Sequence, residues 1–158
     1  MQRLITLYLS FFYTGFAPKI SGTVASIVSL PLIVLLLPYL PSSGWDRLIA
    51  YISITAVLIG FGYAAIRYSK RIPREDVDQS FIVIDEVIGM MIAMLPVVMI
   101  EFTWSFALIA FVLFRIFDIA KPLGIGKIDA QNTPFSVILD DVVAGIYSAM
   151  ILGLILMI

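Results

Sequence analysis

The feature that most limits how this chain can fold is a series of apolar runs separated by short polar joints. They are Val24–Leu40, Leu48–Ile66, Phe81–Ile100, Trp104–Ile119 and Ser136–Ile158. Each is on the order of 20 residues, enough to cross a hydrocarbon core of about 30 Å as a helix. In lipid every backbone amide must be satisfied internally, so such runs are expected as helices. Composition agrees. The chain is 61% hydrophobic and 13% charged, where soluble domains run at roughly 45–50% and 25%, and the mean hydropathy is +1.08. The expected fold is all-α: a polytopic membrane helical bundle, one integral-membrane domain over residues 1–158, with about five spanning helices. Leu4–Tyr13 adds a short N-terminal helix, interfacial or re-entrant. Pro31 interrupts the first span, which a membrane helix tolerates. Pro38, Pro41 and Ser42-Ser43-Gly44 mark a turn, and Trp45, Tyr51, Tyr63 and Tyr68 fall near the ends of the second span, as an aromatic belt requires.

Carboxylates inside these runs need an explanation. Asp85 and Glu86 stand near the start of the third run, Asp118 near the end of the fourth, and Asp140 and Asp141 near the start of the fifth. An ionised carboxylate at the centre of a spanning helix costs about 2.5–3.5 kcal/mol on the mildest scale. Alternating spans put all five at similar depth and toward one face. The same alternation gathers Lys19, Arg67, Lys70, Arg71, Arg74, Arg115, Lys121 and Lys127 on that face and leaves Arg47 on the other. That asymmetry marks the cytoplasmic side. Helix-start acids that favour the macrodipole are the plain alternative for each pair. A like-charge pair in apolar sequence nonetheless calls for a cation or a proton. Adjacent helix residues point about 100° apart, which allows one of Asp85 and Glu86 to enter a site while the other supports it. Gly89 is expected to let a second backbone approach.

The residue types absent are informative. There is no cysteine and no histidine, which removes disulfides, thiolate chemistry and imidazole acid–base work. Carboxylates alone favour a hard cation, Mg²⁺ before Zn²⁺. A net charge of −1 leaves no excess of basic charge to neutralise nucleic-acid phosphates in bulk, and nothing in the sequence sets an oligomeric state. In R-I-F-D-I-A-K-P, steps of three put Arg115, Asp118 and Lys121 near one helix face. That is either an ion-pair ladder or an array holding a metal and a phosphate. Lys19-Ile20-Ser21-Gly22-Thr23 leads into a helix and suits an anion site; its simpler reading is an N-cap by Ser21 or Thr23. The basic run Lys70-Arg71 with Arg74 reads as topology and attraction to anionic lipid. Asp78 and Asp129 read as solvated loop acids.

These motifs together resemble the phosphatidylglycerophosphatase A family of bacterial membrane phosphatases. G-F-A-P-K-I-S-G-T over residues 15–23, D-Q-S-F-I-V-I-D-E-V-I-G-M over 78–90, F-R-I-F-D-I-A-K-P-L-G-I followed by Asp129, and V-I-L-D-D-V-V-A-G over 137–145 carry the resemblance in family order. Ser21 stands where the family usually has Pro, and Ser80 where it often has Gly. Thr133-Pro134-Phe135 replaces a Gly-rich lead-in to the Asp-Asp pair, so the lipid preference is open to change. The resemblance implies a Mg²⁺-dependent hydrolase acting on phosphatidylglycerophosphate, with phosphatidylglycerol as product, on the cytoplasmic side of the bacterial inner membrane. Its implied metal ligands come from Asp85, Glu86, Asp118, Asp140 and Asp141. Its implied catalytic groups are Asp85, Glu86, Asp118 and Asp141. Lys19, Ser21, Gly22, Thr23, Arg115 and Lys121 are implied to bind substrate. Attack by metal-activated water is the first expectation and a covalent aspartyl-phosphate the second. The rivals are a small ion-coupled transporter and a lipid-binding membrane subunit. A transporter wants its acids near mid-membrane, and a lipid-binding subunit does not need them.

Overall fold

A computed structural model describes residues 1–42 and 44–157 of the chain. Ser43 of the expected turn and Ile158 at the end of the expected last span lie outside them. The described residues are helical, with no strand: α1 (Gln2–Leu9), α2 (Ser21–Leu36), α3 (Gly44–Tyr68), α4 (Ile84–Ala93), α5 (Leu95–Val98), α6 (Trp104–Ala120), α7 (Ile125–Asp129) and α8 (Ser136–Ile155). Two 3-10 turns, Thr14–Phe16 and Leu37–Tyr39, bracket α2.

Three helical segments are long and apolar enough to cross a membrane: Ser21–Tyr39, Gly44–Tyr68 and Ser136–Ile155. The other two expected spans are shorter. The run Phe81–Ile100 does not form one helix. It enters as α4, turns at Met94, and continues as α5 with Pro96 in its first turn. Proline lacks the amide that would continue the ladder and disfavours helical geometry in the residue before it. α6 has 17 residues, roughly 25 Å at the helical rise. It stops where Lys121 turns left-handed (φ 44°) ahead of Pro122. The segment beyond, expected as loop throughout, contains α7.

α4 is the middle of the molecule. Every α4 residue except Glu86 is buried. Two glycines permit its close packing against neighbouring helices. A methyl group on Gly89 would stand 2.3 Å from the Phe114 ring and 2.9 Å from the Asp141 carbonyl oxygen. One on Gly145 would stand 2.5 Å from the Gly89 carbonyl oxygen. The backbones of α4 and α8 therefore meet at Gly89 and Gly145, as expected for Gly89. Buried Tyr51 of α3 donates its hydroxyl to the Met91 carbonyl at 3.0 Å, close to the α4–α5 break. Tyr8 of α1 donates to the Leu58 carbonyl at 2.9 Å.

The N-terminal segment is tied to the start of α4. The Val83 amide donates to the Leu9 carbonyl at 2.9 Å. Phe16 stacks on Phe81 with centroids 5.8 Å apart, and Gly15 lies so close to the Phe81 carbonyl that a methyl there would be 2.2 Å away. The chain between α1 and α2 is thereby pressed onto residues 81–83, and the first turn of α2 comes to rest beside the first turn of α4.

Candidate active site

Four helix ends meet at one place: the starts of α2, α4 and α8 and the end of α6. Between them lies a cavity of about 120 Å³ lined by Ser21, Asp78, Ser80, Ile82, Asp85, Glu86, Asp118, Lys121, Val137, Asp140 and Asp141. All five carboxylates expected at one depth converge there. Asp85, Asp140 and Asp141 are buried at 6%, 5% and 4% exposure. Asp85 and Glu86 both line the cavity, so the 100° step between them does not turn either one away from it. Asp85 Oδ1 accepts the Glu86 amide at 3.1 Å, which turns the Asp85 side chain along the helix toward its neighbour.

The donor set fits a hard divalent cation. Asp85, Glu86 and Asp141 each offer a carboxylate oxygen, and the three oxygens lie within 4.8 Å of one another. Glu86 Oε2 and Asp140 Oδ1 are buried without a hydrogen-bond partner. A buried, unpaired carboxylate oxygen is costly unless something binds it. Oxygen donors without His or Cys suit Mg²⁺. Six carboxylates and one ammonium line the cavity, a donor set that binding of a cation would balance.

The expected substrate-binding residues divide. Ser21 and Lys121 line the cavity. Gly22 and Arg115 sit against Glu86: a methyl on Gly22 would be 2.1 Å from Glu86 Oε1 and 3.3 Å from Arg115 Nη1. Arg115 pairs with Asp118 and donates to Thr23 Oγ1 at 3.2 Å. Ser21 donates to the Ser80 carbonyl at 3.0 Å. Neither hydroxyl caps α2, whose N-cap position is Ile20 with no side-chain bond. Both join α2 to other elements instead. Lys19 precedes α2 in a left-handed conformation (φ 64°). It does not line the cavity and has no ion-pair partner among the described residues.

Lys121 is shared. It pairs with Asp129 and, at 2.8 Å, with Asp140 Oδ2. Burial alone would lower its ammonium, but the bonds to the two carboxylates outweigh burial and hold it above its ordinary value. Asp129 is therefore no free loop acid, because α7 carries it back to the end of α6. Asp78 and Ser80 also belong to the site and were not singled out for it. Partial burial pushes the Asp78 carboxyl above its ordinary value, an effect that Lys121 opposes and Asp129 reinforces. The signal for Asp78 and Ser80 was their place in the 78–90 motif, seven and five residues before Asp85.

The family model for phosphatidylglycerophosphatase A matches residues 7–156. A protein of that name from Escherichia coli (strain K12) is 32% identical over 142 residues, 89% of this chain and 77% of the relative. One from Haemophilus influenzae is 37% identical over 75 residues, 47% of this chain and 45% of the relative. A Bacteroides thetaiotaomicron protein, provisionally named a phosphatidylinositol-3-phosphatase, is 32% identical over 145 residues, 90% of this chain and 87% of the relative. No solved structure matches the chain. The chain belongs to the phosphatidylglycerophosphatase A family and is a phosphatase.

Proposed function

We propose that this member of the phosphatidylglycerophosphatase A family removes the terminal phosphomonoester of phosphatidylglycerophosphate, leaving phosphatidylglycerol, with Mg²⁺ as cofactor. The observation that carries this reading is the convergence of Asp85, Glu86, Asp118, Asp140 and Asp141 on one cavity beside Lys121, in a chain of this family. α4 with α5, and α6, would cross the membrane alongside the three longer helices, giving five spans. The surplus of Lys and Arg at the cavity end supports a cytoplasmic active site in the inner membrane of a bacterium.

Asp85, Glu86 and Asp141 would hold the cation, with Asp140 and Asp118 adjacent. Bound there, Mg²⁺ would supply Lewis acidity and offset the carboxylate charge facing the phosphate. The remaining roles fall to the chain's own groups. Gly22 and Arg115 fix Glu86 from behind. Arg115 also holds Asp118, leaving it placed to take a proton from an attacking water as general base. Lys121 keeps its charge while bonded to Asp129 and Asp140, and with Lys19 it would bind phosphoryl oxygens. The first-turn amides of α2 add donors to the same end, beside the Ser21 hydroxyl that is bonded to the Ser80 carbonyl. Water attack is preferred over a covalent carboxylate route, and trapping an acid-labile phosphoenzyme would decide for the latter.

A second reading concerns the head group. The Bacteroides thetaiotaomicron relative, named for a phosphoinositide, matches 90% of this chain. Phosphate release from phosphatidylglycerophosphate and from phosphatidylinositol 3-phosphate, in the same detergent with Mg²⁺ or with EDTA, tests both. The expected result is Mg²⁺-dependent release, faster with phosphatidylglycerophosphate. Faster release from the phosphoinositide would move the substrate, and release in EDTA would remove the metal.

A further inference from the structure

A second cavity, of about 450 Å³, lies at the same end of the molecule, lined by residues 66–70, 72–74, 77 and 134. Its charged lining is entirely basic: Arg67, Lys70 and Arg74. None of the three is in an ion pair among the described residues. The acids next in sequence, Glu75 and Asp76, do not line it. Its floor is apolar, with Ile66 at 2% and Val77 at 7% exposure. The rim is fastened from two sides. Asn132 Oδ1 accepts the amides of Val77 and Asp78 at 2.8 and 3.2 Å, and Gln2 Oε1 accepts the Lys70 amide at 3.1 Å. A cytoplasmic charge bias accounts for basic residues at this end. It does not account for three cations around one cavity with an apolar floor, none of them in an ion pair among the described residues.

We infer that this groove binds the head group of an anionic phospholipid of the surrounding bilayer, separate from the substrate in the acid-lined cavity. Three cations around one groove favour a lipid of net negative charge over a zwitterionic one. The position at the last turn of the α3 span, with Tyr68 exposed beside it, is where head groups lie. The floor suits the glycerol and first methylenes. The site does not depend on which phosphomonoester the enzyme hydrolyses.

The test uses the purified full chain in neutral detergent, with equal phosphatidylserine and phosphatidylcholine, read by native mass spectrometry of retained lipid. Neither lipid carries a phosphomonoester, so neither is consumed. The wild type is expected to retain phosphatidylserine at least tenfold over phosphatidylcholine. The triple variant Arg67→Gln, Lys70→Gln, Arg74→Gln is expected to lose that preference by at least tenfold, each cation contributing roughly fivefold. Arg74→Gln alone, on the loop, is expected to weaken retention several-fold and serves where the triple variant does not fold. The control removes three charges elsewhere: Arg3→Gln, Arg71→Gln, Lys127→Gln. Arg71 reaches Thr6 Oγ1 at 3.4 Å rather than lining the groove. Equal loss in the control would reduce the effect to bulk charge and overturn the site. Displacement of the lipid by millimolar inorganic phosphate would make it a free-phosphate site and overturn the lipid assignment.

Discussion

The acid-lined cavity and the basic groove share the segment from Val77 to Ser80, and they handle charge in opposite ways. Val77 lines the groove, while Asp78 and Ser80 line the cavity. At the cavity three carboxylates are buried, Asp85, Asp140 and Asp141, and several charges are paired: Arg115 with Asp118, and Lys121 with Asp129 and Asp140. In the groove the charges are exposed and in no ion pair among the described residues. Buried charge that is fixed by neighbours is pre-organised and sensitive to small displacement. Exposed charge acts through attraction, is screened by salt, and tolerates substitution. The first arrangement suits chemistry and the second suits recognition of a surface.

Substitutions in the cavity should therefore cost turnover steeply, and those in the groove hardly at all. The largest effect is expected for Asp141→Asn or Glu86→Gln, about 10²-fold or more in turnover, measured as phosphate release from variants that elute as single species. Next is Gly22→Ala. Its methyl would displace Glu86, so turnover is expected to fall on the order of 10- to 100-fold, with the Mg²⁺ needed for half-activation rising. Unchanged Mg²⁺ dependence would separate Gly22 from the cation's residues. Lys121→Met is expected to cost about 1–3 kcal/mol of stability from lost charged hydrogen bonds, read by thermal unfolding in detergent. Because the folded Lys121 is raised above its ordinary value, its contribution is fully present below an unfolded pKa of about 10.4. It is lost only as pH rises through the higher folded value, so the wild-type and variant difference should stay flat across neutral pH. The smallest effect is expected for the groove triple variant, whose turnover should stay within about twofold of wild type. A loss as large as that of Asp141→Asn would erase the distinction between the two regions.

Much of this was legible in the sequence, for a physical reason. Apolar runs set the helices, alternation sets which helix ends share a face, and five carboxylates at like depth follow from those two facts alone. What was not legible depended on tertiary detail. Pro96 divides the third run into α4 and α5, although hydrophobicity continues through it. Asp129 looked solvated because nothing local shows that α7 returns it to Lys121. Ser21 and Thr23 looked like caps because local bonding is the simpler use of a hydroxyl before a helix. Their partners, the Ser80 carbonyl and Arg115, lie 59 and 92 residues away. Gly89 was readable as a close-approach position; Gly22, whose partner is a side chain on another helix, was not.

The most direct test of the cavity as the catalytic centre is phosphate release from phosphatidylglycerophosphate by wild type, Asp85→Asn, Glu86→Gln, Asp118→Asn and Asp141→Asn, each with Mg²⁺ and with EDTA. Wild type should be active only with Mg²⁺, and each folded variant should lose about 10²-fold or more. Wild-type turnover in all four variants would contradict the assignment of the cavity as the site of chemistry.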